Sequence, residues 1–527
     1  MILTMNIIPF PNLGTNRLND YRDQIVKFYS TIAITILLIS ILFVVDYSLG
    51  LSNNNNNNKI YALEQTEIIG NTPNSSTTEA PSTDIFNLTS GYTIEPVVWN
   101  LTAPDSLTFD DSGNMYLGEA GYPFTDLPQV PRILKVTPNG NISILVDTNL
   151  SSPIVDVVFY NEMLYVSHKS KISTIDITNG TVKDIIVGLP GNGDHQSNQI
   201  AFGHDGKRLY VGIGTATNSW VIGEDNYRNG WLAESPNVQE IPGKNIELTG
   251  QNFVTPNPLT AKPNDNATTG AFVPFNTSTY KGQIVPGNIK CNGCILSANL
   301  DGTDLKLVGW GLRTPSGIAF NEEGRLFAVD HGSDERGSRP IANDNDKFHE
   351  IKINETGSKA AFYGWPDFFG NAEPVTDPKF QSKRGVGEQD KLLQFLMQNH
   401  PKVEKPLALF KPPHTSAIQM AFANESFGFA GESFVAQFGT NAPISRPLPP
   451  PGTIIGQNIV HVNIDNKTIS DFLTLNKVTT AFRPTDVVFN QNGTDLFVVD
   501  WGNVIYPPGK TIPNSGVVWK ITPTNLQ

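Results

Sequence analysis

From Leu101 onward, short runs of alternating or continuous apolar residues are separated by polar Asp/Asn-Gly turns, and one unit recurs six times along the chain. Each unit reads as a strand, a turn, a second apolar strand closing on Asp, Gly or His, and a later third strand. The paired strands are LTFDDSGNMYLGEA from Leu107, VDVVFYNEMLYVSH from Val155, QIAFGHDGKRLYVGIG from Gln199, GIAFNEEGRLFAVDHG from Gly317, IQMAFANESFGFAGESFVAQFG from Ile418 and TDVVFNQNGTDLFVVDWG from Thr485. The following strands start near Arg132, Ile172, Cys294, Phe348, Asn458 and Gly516 and read as outer strands. Six such units predict an all-β, six-bladed β-propeller, because ring closure removes the exposed edges that an open stack of hairpins would leave. The alternative is a pair of β-sandwiches with coincidental turns. Two stretches break the pattern, at about 215–293 and 354–417, the second with a short helix expected around Glu388 to Gln398. Long insertions of this kind form the walls of binding faces.

Upstream of the repeats, residues 28–45 read FYSTIAITILLISILFVV without a charge, which predicts one transmembrane helix or a long signal peptide cut near Ser48-Leu49-Gly50. Arg17, Arg22 and Lys27 outnumber Asp20 and Asp23 before it, so residues 1–27 are expected as a cytoplasmic tail and everything after Asp46 outside the cell membrane. Residues 46–95, with an unbroken Asn53 to Asn58 run and NTPNSSTTEAPSTD, read as a disordered stalk, leaving 96–527 for the propeller. All twelve Asn-x-Ser/Thr sequons, from Asn74 to Asn492, lie beyond the apolar segment, as an extracytoplasmic body requires for glycosylation.

Composition narrows the function. The 527 residues are 39% hydrophobic and 17% charged, enough for a large core. A net charge of −13 argues against nucleic acid as a partner, since affinity for phosphates needs clustered cations. The two cysteines, Cys291 and Cys294, exclude a thiolate zinc site or cluster and leave a structural disulfide, an inert pair or a redox pair open. No GxGxxG opens a helix after a strand, which argues against a nicotinamide enzyme.

Two loops carry candidate chemistry. Asp194-His195 follows GLPGNG and enters the third unit, where a histidine suits a general base and a carboxylate can fix its tautomer; a capped turn with a surface histidine is the other reading. Asp330-His331, with Asp334, Glu335 and Arg336, follows the fourth unit, and its carboxylates are expected either to hold Ca2+ or to form a charged exposed turn. Asn343 to Asp346 also offers oxygens but lacks the glycine and final glutamate of an EF-hand loop. Trp365, in Tyr363-Gly364-Trp365-Pro366, reads as an aromatic anchor for the insertion or as a pocket wall.

The segments GDHQSNQIAFGHDGKRLYVGIG (193–214), CILSANLDG (294–302), GLRTPSGIAFNEEGRLFAVDHG (311–332), AFYGWPDFFG (361–370), HTSAIQMAF (414–422) and FRPTDVVFNQNGTDLFVVD (482–500) resemble the glucose/sorbosone dehydrogenase family, above all its sorbosone dehydrogenase-like branch. That family consists of six-bladed propellers that oxidise sugars and aldehydes with pyrroloquinoline quinone (PQQ). The resemblance implies that His195 is the base, that Asp194 assists it, that Gln196, Asn218 and Arg313 contact the cofactor, and that Asp330, Asp334 and Glu335 form a Ca2+ loop. It also departs from the family: Thr217 stands where an arginine usually precedes the asparagine, and SPIVDVV (152–158) replaces a Gly-Gln-x-Gly-Leu run. Arg313 equally fits a residue that ties down a blade turn.

These readings converge on a membrane-anchored, extracytoplasmic quinoprotein oxidising a sugar or small aldehyde and passing electrons to an external acceptor. The alternatives are a non-catalytic ligand-binding propeller and a Ca2+-dependent propeller hydrolase or lactonase.

Overall fold

A computed structural model describes residues 79–121, 130–195, 197–260, 262–353, 359–382, 392–440, 453–477, 479, 481–505 and 510–524. The expected membrane segment at 28–45 lies outside the described residues, among which no helix is long and apolar enough to cross a membrane.

The fold is an all-β, six-bladed propeller. Six sheets of four or five strands, antiparallel except for the outermost strand of the third, follow one another along the chain, with the repeated hairpins supplying the two inner strands of each. The inner strands are Pro104–Phe109, Ile154–Tyr160, Ser197–Phe202, Pro315–Phe320, Ala417–Phe422 and Pro484–Phe489 in the first to sixth blades. Each touches the next, and the sixth touches the first, so the ring is closed. The strands expected as outer ones are third in their sheets. Fourth strands such as Ile142–Val146 and Val182–Ile186 lie outside them and expose consecutive side chains, Ile142 to Ile144 in one and Lys183 and Asp184 in the other, which is why their apolar pattern is faint.

Closure uses both ends of the body. Tyr92–Leu101 pairs antiparallel with Gly516–Pro523, completing the sixth blade, and Phe86–Leu88 pairs with Thr468–Leu475 at the rim of the fifth. Strand structure therefore begins inside the segment read as stalk, and the boundary drawn at residue 96 moves upstream. The expected helix at 388–398 is also corrected. Residues 383–391 lie outside the described set, and Leu392 to Gln398 is not helical, because the Asp367 carboxylate accepts the N–H groups of Leu396 and Met397 at 2.9 Å. Tertiary hydrogen bonds override a modest helix propensity there.

A polar side chain stands three residues before the phenylalanine near the end of nearly every inner strand: Ser106, Asp156, Gln199, Gln419 and Asp486. These residues stitch neighbouring blades. Asp486 accepts the Leu107 N–H at 3.0 Å, Ser106 donates to Asp156 at 2.7 Å, Asp156 accepts the Ile200 N–H at 2.7 Å, and Gln199 accepts the Ile318 N–H at 2.9 Å. The fourth blade has Gly317 at the equivalent position because a Cβ there would sit 2.3 Å from the Ile418 carbonyl oxygen.

Burial, reinforced by the charge of Asp156, pushes the Asp486 carboxyl up to about 8, and burial pushes Asp156 up to about 6. The folded protein thus keeps protons that the unfolded chain releases near pH 4, so these groups weaken stability progressively as pH rises from about 4 towards 8. Asp486→Asn keeps an acceptor for Leu107 and removes that titration. Its melting temperature is expected to match the wild type near pH 4 and to exceed it by roughly 2–4 °C or more at pH 8. Parallel melting curves across that range would show that Asp486 is ionised in the fold.

Candidate functional site

The loops entering the third and fourth blades meet in one cluster. Gly193 makes this possible: its φ is +152°, and a Cβ there would lie 2.3 Å from Ala216 Cα, so no other residue lets the 193–195 segment run against the 215–217 strap. There the backbone N–H of Asp194 donates to Ala216 O and that of His195 to Thr215 O, both at 3.1 Å. The same Thr215 carbonyl accepts His195 Nδ1 at 3.0 Å. A carbonyl can only accept, so Nδ1 carries the proton and Nε2 holds the lone pair.

The structure thereby reassigns the tautomer-fixing role from Asp194 to Thr215. The Asp194 carboxylate makes its hydrogen bonds elsewhere: one oxygen accepts from Asn226 Nδ2 (3.3 Å), Asn229 Nδ2 (2.9 Å) and Trp231 Nε1 (2.8 Å), and the other takes Arg336 at 2.7 Å. Although burial opposes it, the Arg336 guanidinium holds the Asp194 carboxyl below the usual carboxylate range. Burial and the nearby Arg313 charge lower His195 to about 3, against a smaller opposing pull from Asp194, so the imidazole is neutral at physiological pH.

Arg336 is the electrostatic hub. Besides Asp194 it pairs with Asp225 at 2.6 Å and Asp334 at 3.2 Å, and its own ionisation is driven upward by those carboxylates despite burial. Asp334 also takes Arg313 at 3.3 Å and His414 Nδ1 at 3.2 Å; these partners hold it well below the ordinary value against the effect of burial. Burial, with Asp194 adding to it, pushes Asp225 up to about 6 against the attraction of Arg336. His331 stands across from His195, with ring centroids 6.3 Å apart and planes near perpendicular. Its Nε2 is buried without a hydrogen-bond partner.

Of the residues singled out from sequence, His195, Asp194, Asn218, Arg313 and Asp334 are brought together, whereas Gln196 lies outside the described residues. Asn218 is buried and fully engaged: its amide oxygen accepts from Arg313 Nη2 at 3.2 Å and the Asp334 N–H at 2.7 Å, while its amide nitrogen donates to Asp334 O at 2.7 Å. It knots the two loops together. Arg313 does the same from its side, donating through Nε to Asn218 O at 3.1 Å.

The three carboxylates of the expected Ca2+ loop turn to different partners. Asp330 staples the blade turn, accepting the N–H groups of Arg313 at 2.9 Å and Thr314 at 2.7 Å, as Asp500 does for Arg483 at 2.8 Å in the sixth blade. Asp334 lies between the two arginines and His414. Glu335 accepts from Ser382 at 2.7 Å. Among the described residues, no group of three or more His, Cys, Asp or Glu side chains is arranged to hold a metal ion.

Trp365 is architectural: it is buried, donates to Ser333 at 3.1 Å and packs on Trp220 with centroids 5.0 Å apart. Cys291 and Cys294 form a disulfide. Asp225 and Trp231, which shape the site from two short helices at Glu224–Arg228 and Trp231–Glu234, carried no sequence signal, since helices of five and four residues show no period. Arg336, His331 and His414 stood within segments that the sequence singles out, but nothing in their spacing marked them as partners.

The geometry is that of a propeller with a base-like histidine and an arginine-rich loop at one face. No protein-family model and no curated protein matches the sequence. Solved structures do match the fold, and they include PQQ-type sugar dehydrogenases. The PQQ domain of pyranose dehydrogenase from Coprinopsis cinerea, in its holo form, is 16% identical with a TM-score of 0.52, covering 84% of this chain and 99% of that one. A calcium structure of a Trichoderma reesei Carbohydrate-Active Enzymes Family AA12 protein is 16% identical with a TM-score of 0.52, covering 85% and 99%. At this identity the likeness concerns the fold.

Proposed function

We propose that this protein is a quinone-dependent oxidoreductase of sugars or small aldehydes, held at the outer side of a membrane by residues 28–45. The observation that carries the reading is His195: a neutral imidazole whose tautomer is set by a backbone carbonyl and whose Nε2 is left as the acceptor, as a general base for a hydroxyl requires. The likeness in fold to a holo PQQ domain supports it.

The donor set fits such a quinone. His331 Nε2 is an orphaned buried nitrogen on the ring across from His195, free to meet a polar atom of the quinone, whereas the Arg313 and Arg336 guanidiniums are already taken by Asp334, Asp194 and Asp225. His331 would hold the cofactor, which when bound supplies a two-electron acceptor. The protein's own part is to place the substrate hydroxyl at His195 Nε2, to take its proton there, and to stabilise the resulting imidazolium through the Asp194 carboxylate nearby. Arg336 keeps Asp194 ionised for that purpose.

Full-length protein in detergent, titrated with PQQ in the presence and absence of Ca2+ and then given aldoses and small aldehydes, is expected to bleach the quinone absorbance in a substrate-dependent manner. Absence of quinone binding would favour a non-catalytic ligand-binding propeller. Quinone-independent hydrolysis of a lactone would replace the oxidoreductase with a hydrolase.

A further inference from the structure

Behind His195 lies a buried carboxylate that the proposed chemistry does not use. Glu240, delivered by the insertion between the second and third strands of the third blade, is 1% exposed. Its Oε1 accepts both the backbone N–H and the hydroxyl of Thr217, each at 2.7 Å. The Thr217 hydroxyl in turn accepts the Trp220 N–H at 2.8 Å, and the Thr217 carbonyl accepts the Thr215 hydroxyl at 2.9 Å. Thr215 is the residue whose carbonyl takes His195 Nδ1 at 3.0 Å. A directed run of hydrogen bonds therefore leads from the carboxylate to the imidazole.

The far end of the run is anchored as well. Asn292, between the two cysteines of the disulfide, accepts the Ile241 N–H at 3.0 Å, donates its own N–H to Ile241 O at 2.8 Å and donates from its side chain to Gly214 O at 3.2 Å. The residue after Glu240 and the residue before Thr215 are thus tied to one asparagine. The second carboxylate oxygen, Oε2, is buried with no partner. An apolar side chain would fill the same space but would leave the buried Thr217 N–H and hydroxyl without their acceptor, so the bonds to Thr217 and not the packing account for a glutamate here.

We infer that Glu240 is a positioning residue that fixes the tautomer of His195 through the Thr217–Thr215 strap. This rests on the reading of His195 as the base. If the strap relaxes, the Thr215 carbonyl moves out of line with Nδ1, the proton is free to occupy Nε2, and that nitrogen can no longer accept one. Burial pushes the Glu240 carboxyl up to about 7, and a proton on Oε2 leaves Oε1 free to keep both bonds to Thr217. Glu240→Gln, which preserves that acceptor, is therefore the rescuing substitution, and Glu240→Ala is the disrupting one.

The test uses full-length protein with 15N-labelled histidine, with the His195 ring signals identified by their loss in His195→Asn. Wild type and E240Q are expected to show one tautomer with the proton on Nδ1, and E240A a mixture. In turnover, E240A is expected to lose about tenfold to a hundredfold in kcat with KM within about twofold, and E240Q to retain most of it. A folded E240A whose His195 ring keeps the Nδ1 proton would overturn the inference. Should E240A not fold, Thr217→Val deletes the hydroxyl link, and with it the acceptor of the Trp220 N–H, but keeps the Thr217 N–H bond to Glu240, and must give a partial mixture; an unchanged ring in that variant overturns the inference equally. A shifted tautomer in a protein that never reacts with quinone would leave the positioning role standing and remove the proposed function.

Discussion

His195→Asn is expected to lower quinone-linked turnover by about 10²–10⁴-fold, the range removed when a positioned base is lost, while the melting temperature moves by no more than about 3 °C. Asparagine can still donate towards the Thr215 carbonyl that receives Nδ1, so the loop keeps its anchor while the acceptor nitrogen disappears. The pH profile gives a second readout. Burial and Arg313 lower the imidazole to about 3, so the neutral base persists far below the usual histidine range, and kcat/KM should stay flat from pH 7 down to about 4.5 before falling. The same depression means that the unfolded chain takes up a proton near 6.5 that the folded one refuses, so this group erodes stability as pH falls from there towards 3. Activity within tenfold of wild type in the variant, or an acid limb centred near 6.5, would remove His195 from the chemistry.

Arg336→Met is expected to be the most damaging substitution for stability, by about 3–5 kcal/mol in urea unfolding at pH 7.5. The guanidinium neutralises Asp194, Asp225 and Asp334 at 2.7, 2.6 and 3.2 Å, and its side chain is only 10% exposed. Removing it leaves three mostly buried carboxylates with Arg313 as the remaining cation at Asp334. Their folded-state affinity for protons must then rise above that of the unfolded chain, so the variant recovers stability as pH is lowered from 7.5 to 5. The wild type behaves oppositely at Asp334: its carboxyl is held well below the ordinary value, and that stabilisation is present above about pH 4 and lost only in stronger acid. A second substitution, Asp225→Asn, should restore part of the loss. A deficit under about 1 kcal/mol at pH 7.5 would mean that water screens the cluster.

The hairpins were legible because their strands are buried and alternate in a way that water dictates. The six units read from Leu107, Val155, Gln199, Gly317, Ile418 and Thr485 are the inner hairpins of the six blades. Outer strands faded in proportion to their exposure, as Ile142 and Ile144 show at 52% each. A further signal was present and is now interpretable: Phe109, Phe159, Phe202, Phe320, Phe422 and Phe489 recur at one position of the repeat, with the stitching residue three places before each except at Gly317. The site was only half legible. The Asp-His doublet pointed to the right loop, but which groups fix His195 depends on contacts with residues far along the chain, and an insertion without periodicity hides Asp225 and Glu240. The acidic 330–335 loop shows the converse, since carboxylates that look free in sequence are consumed by backbone N–H groups, a histidine and arginines.

The seam of the sixth blade, where Tyr92 lies opposite Pro523 and Leu101 opposite Gly516, sets an order on biogenesis. A ribosome delivers Tyr92–Leu101 before the first blade and its partner only after the inner hairpin of the sixth, so the first strand must wait, unpaired, while all six hairpins are made. The nascent chain can stack its early blades but stays an open arc with two adhesive edges until Gly516–Pro523 emerges. Stop codons that remove Gly516–Pro523 should therefore yield chains captured by chaperones or aggregated, rather than a shorter working toroid.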